Sequence, residues 1–138
     1  MTASGQQARY AIDAPTLLRI VTDGVAIGEH VRLVAPSSIR SEALTTLLRR
    51  VQAAQLTDAE ARDLHTRMTE LNIRVLGDRV SRWTAFQLAR EHGWATMAEA
   101  EYLAVAKLQA DALVTFDAEL AARADGIVPV RGLDALAG

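Results

Sequence analysis

Short apolar runs alternate along the chain with longer stretches in which apolar residues recur every three to four positions. The short runs predict strands, and the longer stretches predict amphipathic helices. Alternation of strands with helices is typical of a parallel sheet covered by helices on both faces. We therefore predict a three-layer α/β/α fold with a central parallel sheet of four to five strands. The predicted strands are 9–13, 31–35, 73–76, 112–114 and 127–130.

Local signals refine these elements. Residues 57–60, T-D-A-E, form a capping box that opens a helix, and residues 96–99, T-M-A-E, predict a second one. Ser37 or Ser38 caps the helix that follows the second strand. Pro129 cannot donate to a ladder, so the last strand is expected at an edge of the sheet.

Length and composition restrict the possibilities further. The 138 residues suffice for one domain with its own core, and residues 1–8 are polar enough to be expected to fray. The absence of cysteine excludes disulfides, thiolate zinc sites and cysteine nucleophiles. No apolar run reaches the roughly 18 residues of a membrane span, and the start lacks a signal-peptide core, so we expect a cytoplasmic protein without a membrane partner.

The formal net charge of −2 argues against binding of a polyanion through bulk positive potential. A polyanion would need a local basic patch or a bound cation. Arg40, Arg79 and Arg82 could contact RNA phosphate, although a solvated helix face is the better explanation of these residues. Trp83 and Phe86 have helical spacing, which favours a core or partner-interface role over base stacking.

Four carboxylates occupy the places where an open parallel sheet carries its chemistry. Two of them, Asp13 and Asp117, follow predicted strands, whereas Glu42 and Glu99 stand in early helical turns. Right-handed crossovers bring the carboxyl ends of all the strands to one edge, so the four side chains can converge there. Clustered carboxylate oxygens suit Mg²⁺ or Mn²⁺, and such an ion commonly supports phosphodiester hydrolysis.

Each carboxylate also has a structural explanation. Asp13 and Asp117 could simply cap the helices that follow them. Glu42 could be a solvated residue that favours a helix N-terminus, and Glu99 could complete the capping box of residues 96–99. Capping and metal binding are compatible, so these alternatives stay open.

The order of four segments resembles the PIN-domain family, and most closely the VapC-type toxins of bacterial toxin–antitoxin pairs. These segments are I-D-A near the N-terminus, P-S-S-I-R-S-E-A-L after the second strand, E-A-E-Y-L-A-V-A, and L-V-T-F-D. The resemblance runs from Tyr10 to about Val130. No single segment is specific, but their order and spacing together are.

The resemblance implies a metal-dependent endoribonuclease that hydrolyses RNA phosphodiester bonds. It further implies a VapB-like antitoxin as partner and a homodimer. Thr115 matches a hydroxyl position that supports the site in the family. The implied catalytic and Mg²⁺- or Mn²⁺-binding residues are Asp13, Glu42, Glu99 and Asp117.

One departure from the family pattern supplies an alternative function. The family usually has aspartate in a D-A-x-Y segment, whereas this chain has Glu99 in E-A-E-Y. The longer side chain can shift a metal or move the carboxylate to the outer shell, which would leave a catalytically weakened binding module. A phosphatase-like hydrolase with Asp13 as nucleophile is less well supported, because Pro15 stands where a second aspartate is expected.

Overall fold

The computed structural model describes residues 7–138, and its centre is a five-stranded sheet in the order β3-β2-β1-β4-β5. Every neighbouring pair of strands is parallel. The prediction of a three-layer α/β/α fold with a central parallel sheet is therefore confirmed. The strands are β1 Ala8–Ile12, β2 Val31–Pro36, β3 Ile73–Leu76, β4 Ala112–Val114 and β5 Val130–Arg131.

Six α-helices cover the sheet. In one layer α1, α2 and α3 pack on one another, while α5 packs against β1, β2 and β4 and is itself covered by α4. No helix of residues 7–138 is long and apolar enough to cross a bilayer. The helices are α1 Ala14–Asp23, α2 Ile39–Gln52, α3 Asp58–Glu70, α4 Arg79–His92, α5 Ala98–Gln109 and α6 Ala118–Ala124, and a 3₁₀ helix covers Leu133–Ala137.

Local chemistry explains how the first helix is bounded. Asp13 accepts a hydrogen bond from the backbone N–H of Thr16, and Pro15 occupies the first turn, where its missing N–H has no cost. Gly24 ends the helix in the left-handed conformation that glycine adopts without strain. The position of Asp13 at the exit of β1 is therefore set by a strand end and a helix start together.

Helix α5 is the buried helix of the fold. The run Tyr102–Ala106 is fully enclosed, and Ala100 is also buried. A helix that is apolar around most of its circumference must be covered on more than one side. The sheet and α4 supply that cover, and this fixes the rotation of α5 and hence the direction of Tyr102.

The last strand begins later in the chain than the predicted strand 127–130. The N–H groups of Ile127 and Val128 both donate to the carbonyl of Ala124, so they close the end of α6 and do not join the sheet. Pairing with β4 begins only at the carbonyl of Pro129, which accepts from Leu113 N–H at 2.8 Å. The predicted position at the sheet edge is confirmed, since β5 is the outermost strand.

Three other local predictions need correction. Of the segment expected to fray, residues 1–6 lie outside the described residues, whereas Ala8 already belongs to β1 and donates to the carbonyl of His30. The capping box at residues 96–99 does not form, because α5 has Met97 at its N-cap and no side-chain capping bond. Ser38 occupies the N-cap of α2 but directs its hydroxyl to Glu42 and not to the backbone.

Candidate functional site

The candidate site lies at the carboxyl edge between β1 and β4. The chain runs outward from β1 through β2 to β3 and then returns to β4 on the other side of β1. This reversal makes the gap between β1 and β4 the topological switch point, where open α/β sheets bind ligands. Ile12 pairs with Val114 in the parallel register, so the residues that follow them, Asp13 and Thr115, leave the sheet side by side.

A hydrogen-bonded chain connects Asp13 to Asp117. The Thr115 hydroxyl donates to Asp13 Oδ2 at 2.6 Å, and the Thr115 Oγ1 itself accepts from the Asp117 N–H at 3.0 Å. Asp13 is 3% exposed and Thr115 6%. The supporting position predicted for Thr115 therefore lies in direct contact with one predicted ligand and with the backbone of another.

Asp13 is held at both carboxylate oxygens. Its Oδ1 accepts from Thr16 N–H at 3.0 Å, which confirms the helix-capping interpretation. The Thr16 hydroxyl in turn donates to the Val114 carbonyl at 3.2 Å and so ties α1 to the end of β4. A buried carboxyl group needs hydrogen-bond partners, and here they also fix its orientation.

Glu42 lies in the first turn of α2 and is held through one oxygen. Its Oε2 accepts from the Ser38 hydroxyl at 2.8 Å and from the Tyr102 hydroxyl at 2.8 Å. Burial first, and then the negative charge of Glu42, raise the pKa of Tyr102 well above its ordinary range; the charge of Asp13 adds to this. The phenol therefore remains a proton donor, and it lies within electrostatic reach of both carboxylates.

Tyr102 was missed as a site residue because its apolar ring fits the helical pattern of α5. The available signal was its place in the E-A-E-Y segment, three residues after Glu99. Position alone could not identify the partner of its hydroxyl, which lies 60 residues away along the chain.

Glu99 forms an ion pair with Arg123 of α6, with Oε1 and the nearer guanidinium nitrogen 2.8 Å apart. Burial raises the pKa of Glu99; Arg123 opposes this, while the charges of Glu119 and Asp117 add to it. The capping role considered for Glu99 is wrong, because the side chain turns toward α6. The ion pair was not predicted, since no sequence pattern connects two residues on different helices.

Asp117 caps α6. Its Oδ1 accepts from Glu119 N–H at 2.9 Å and from Leu120 N–H at 3.4 Å, as the capping interpretation predicted. Among the hydrogen bonds of residues 7–138, none involves its second oxygen, nor the Oε1 of Glu42. Each of these carboxylates is thus fixed through one oxygen and has another available to a ligand.

The donor chemistry of the four carboxylates fits a hard divalent cation such as Mg²⁺ or Mn²⁺. Within residues 7–138, however, no three acidic or histidine side chains lie close enough to hold one ion between them. Asp13 is joined to Asp117 through Thr115, Glu42 lies beside Tyr102, and Glu99 is paired with Arg123. The four lie along one edge, and their role as a common set of metal ligands stays a prediction.

The three arginines considered for RNA contact differ in their surroundings. Arg40 donates to the carbonyls of Met68 and Leu71 at 3.4 and 3.2 Å, so it secures the end of α3. Arg79 and Arg82 lie exposed at the start of α4, and Arg82 also donates to the carbonyl of Gly77. Only the two α4 arginines present their charge to solvent.

Comparison with known proteins gives a fold relationship. No protein-family model and no curated protein matches the chain. The crystal structure of PAE2754 from Pyrobaculum aerophilum is similar, with a TM-score of 0.72 and 24% identity over 94% of this chain and 93% of that one. The structure of FitAcB from Neisseria gonorrhoeae is similar with a TM-score of 0.53 and 21% identity, covering 90% of this chain and 97% of that one. The chain therefore has the PIN-like fold of these neighbours.

Proposed function

We propose that the chain is a metal-dependent endoribonuclease and the toxin of a VapBC-like toxin–antitoxin pair. The observation that carries the proposal is the hydrogen-bonded Asp13–Thr115–Asp117 chain, with Asp13 and Thr115 buried, at the switch point of a PIN-like sheet. A helix cap needs only one carboxylate oxygen, which Asp13 supplies through Oδ1. The additional hydrogen bond from the Thr115 hydroxyl to Oδ2 is not needed for capping. The fold of the structural neighbours, which include toxin–antitoxin proteins of the PIN class, supports the same reading.

Some site residues would bind the metal ion, and others would orient the carboxylates that bind it. Mg²⁺ or Mn²⁺, when bound, would neutralise phosphate charge and make water a better nucleophile. Thr115 would hold Asp13 in one rotamer, and Tyr102 would do the same for the carboxylate of Glu42, so that little reorganisation is needed when RNA arrives. The residues proposed to hold the ion are Asp13, Glu42, Glu99 and Asp117.

Partners follow from the same proposal. A VapB-like antitoxin would cover the acidic edge and so keep RNA away from Asp13 and Asp117. A homodimer is the expected assembly of such a toxin. Both are inferred from the family resemblance, and a cytoplasmic location agrees with an RNA substrate.

Cleavage of RNA by the purified chain tests the enzymatic proposal. We expect cleavage with Mn²⁺ or Mg²⁺ and none in EDTA, and a loss of at least about a hundred-fold in Asp13→Asn and Asp117→Asn. Glu29→Gln is the matched control, because Glu29 is exposed and precedes β2 at the opposite edge of the sheet. A wild-type chain that cleaves no RNA with Mn²⁺, together with unchanged Mn²⁺ affinity in Asp13→Asn, would exclude the enzyme.

Growth of a bacterial host tests the toxin part separately. Expression of the wild-type chain should arrest growth, and Asp13→Asn should not. Co-expression of the protein encoded by a short neighbouring reading frame should restore growth and form a complex that protects the acidic edge. Active nuclease without growth arrest would retain the enzyme and reject the toxin.

A catalytically weakened binding module is the second candidate, and the Glu99–Arg123 ion pair favours it. An arginine at 2.8 Å already neutralises the carboxylate that the metal would need. In that case Glu99→Asp, whose shorter side chain releases Arg123 and restores the family residue, should gain cleavage activity from an inactive parent. A fully active wild-type chain that loses activity in Glu99→Asp would reject this candidate.

A further inference from the structure

Helix α4 presents a row of basic and aromatic side chains to solvent. Its opposite face is buried against α5 through Ser81, Ala85, Leu88 and Ala89. The exposed residues recur at intervals of three and four, which places them on one side of the helix. We call this row the α4 stripe: Arg79, Arg82, Trp83, Phe86 and Arg90.

The aromatic residues of the stripe are not core residues. Trp83 is 57% exposed and Phe86 43%, so the core role considered for them is wrong. Their rings stack on each other with centroids 4.8 Å apart and an interplanar angle of 12°. One face of each ring is therefore used within the pair, and the exposed ring surface that remains forms an apolar platform in water.

Charge identifies the kind of ligand that this platform suits. Arg79 and Arg90 flank the rings and form no ion pair within residues 7–138. The single acidic residue of α4, Glu91, points about 100° away from Arg90 around the helix. A chain of net charge −2 thus concentrates positive charge around two exposed rings, which is complementary to a polyanion that carries flat apolar groups.

A second copy of the same chain fits this face poorly. A two-fold interface would place the same patch on both sides, so Arg79, Arg82 and Arg90 would each approach arginines of the other protomer. Such like-charge contacts oppose association unless anions neutralise them. A nucleic acid strand, in contrast, supplies phosphates for the arginines and bases for the rings.

The stripe begins at the same edge of the sheet as the candidate site. Helix α4 starts just after β3 ends, at Leu76. Arg82 lines one cleft with Pro36, the last residue of β2, with Ser37 after it, and with Glu101 of α5. Ser37 is adjacent to Ser38, which holds the Glu42 carboxylate. A nucleic acid strand bound to the α4 stripe would therefore reach the edge of the sheet where the carboxylates lie.

We propose that the α4 stripe binds single-stranded RNA, with a base stacked on the Trp83–Phe86 platform and phosphates held by the flanking arginines. The inference rests on the proposed function in taking RNA as the substrate, and it narrows that substrate to unpaired RNA. In a duplex the bases stack on one another and offer no free face to the rings.

Binding measured without cleavage tests this proposal. A fluorescein-labelled RNA of about twelve nucleotides is titrated with protein in EDTA, and anisotropy reports the Kd. Stacking of one base is worth roughly five-fold or more in affinity, so Trp83→Ala and Phe86→Ala should each weaken binding by at least that factor, and Trp83→Phe should weaken it less. Leu48→Ala is the matched control, since Leu48 is 56% exposed on α2.

Salt dependence tests the arginines. Arg79→Gln and Arg90→Gln should each lower the slope of log Kd against log salt by about 0.7, the value for one phosphate of a single strand. Arg50→Gln, an exposed arginine near the end of α2, should leave the slope unchanged. Duplex RNA of the same length should bind more weakly than the single strand and be insensitive to Trp83→Ala.

The outcomes separate this proposal from the nuclease. Unchanged RNA affinity in Trp83→Ala and Phe86→Ala overturns it, whether or not the chain cleaves RNA. A change from dimer to monomer in those variants, with unchanged RNA affinity, assigns the stripe to a protein interface and also overturns it. Stripe-dependent binding in EDTA by a chain that cleaves no RNA when Mn²⁺ is supplied supports the stripe and argues against the nuclease.

Discussion

Replacement of Thr115 by valine removes one hydroxyl at nearly constant shape. That hydroxyl donates to Asp13 Oδ2 at 2.6 Å and accepts from the Asp117 N–H at 3.0 Å, and Thr115 is only 6% exposed. The substitution therefore removes a donor from a buried carboxylate and a partner from a backbone N–H. The methyl group that replaces the hydroxyl can form neither hydrogen bond.

The expected cost follows from these two losses. A hydrogen bond to a charged group contributes about 1.5–3 kcal/mol, and a polar group left without a partner costs about 1–3 kcal/mol. Asp117 is half-buried, so water can reach its N–H in part, which lowers the second value. We expect Thr115→Val to lower the free energy of unfolding by about 2–4 kcal/mol.

Urea unfolding followed by circular dichroism measures this loss, as a fall in the midpoint with an unchanged slope m. Thr66→Val is the control: the Thr66 hydroxyl is exposed on α3 and bonds only to the Arg62 carbonyl at 3.1 Å, so about 0.5 kcal/mol or less is expected. A double-mutant cycle with Asp13→Asn isolates the coupling between the two side chains. If Thr115→Val costs no more than Thr66→Val, the hydrogen-bonded chain does not hold the site and Thr115 has no supporting role.

Three further predictions test other parts of the site and the fold. Arg123→Ala should raise the pKa of Glu99 further, because burial already raises it and Arg123 opposes that effect; carbon-13 NMR titration of the carboxyl measures it. Tyr102→Phe should weaken Mn²⁺ affinity and RNA cleavage by about ten-fold or more, since one carboxylate loses its orienting donor. Gly28→Ala should lower the free energy of unfolding by about 1–3 kcal/mol, measured by urea unfolding, because the added Cβ would meet the Ala137 carbonyl oxygen at 2.7 Å.

Each of these three predictions has a result that would contradict it. A raised pKa of Glu99 means that its ionised form is disfavoured in the fold, so its contribution is present below the unfolded pKa and lost as pH rises through the folded value. Arg123→Ala should enlarge that loss, and an unchanged titration midpoint would contradict the ion pair. Gly132→Ala, whose Cβ would meet only the Asp134 side chain at 3.1 Å, should cost less than Gly28→Ala. For Tyr102→Phe, unchanged Mn²⁺ affinity would argue against orientation of the carboxylate.

Much of the architecture was predictable because it depends on local patterns. Four of the five strands lie within a residue or so of their predicted bounds, since a short apolar run bounded by turn residues favours a buried strand in an α/β chain. The caps by Asp13 and Asp117 were foreseeable for the same reason, as each forms within three residues of itself. The last strand was misplaced because hydrophobicity does not reveal that Ile127 and Val128 bond back to α6.

The amino-acid pattern alone determined the layered fold and the acidic residues that follow its strands and open its helices, and it predicted the edge proposed to carry the chemistry. Tertiary structure decided which of these groups meet. Helices that are far apart in sequence pack together, and their rotation about their axes decides which side chains meet. This rotation sets the Tyr102–Glu42 hydrogen bond, the Glu99–Arg123 ion pair and the exposure of the Trp83 ring. Periodicity reveals which face of a helix is apolar. Only the packing of the helices decides which partner each polar group meets and which aromatic rings stay exposed.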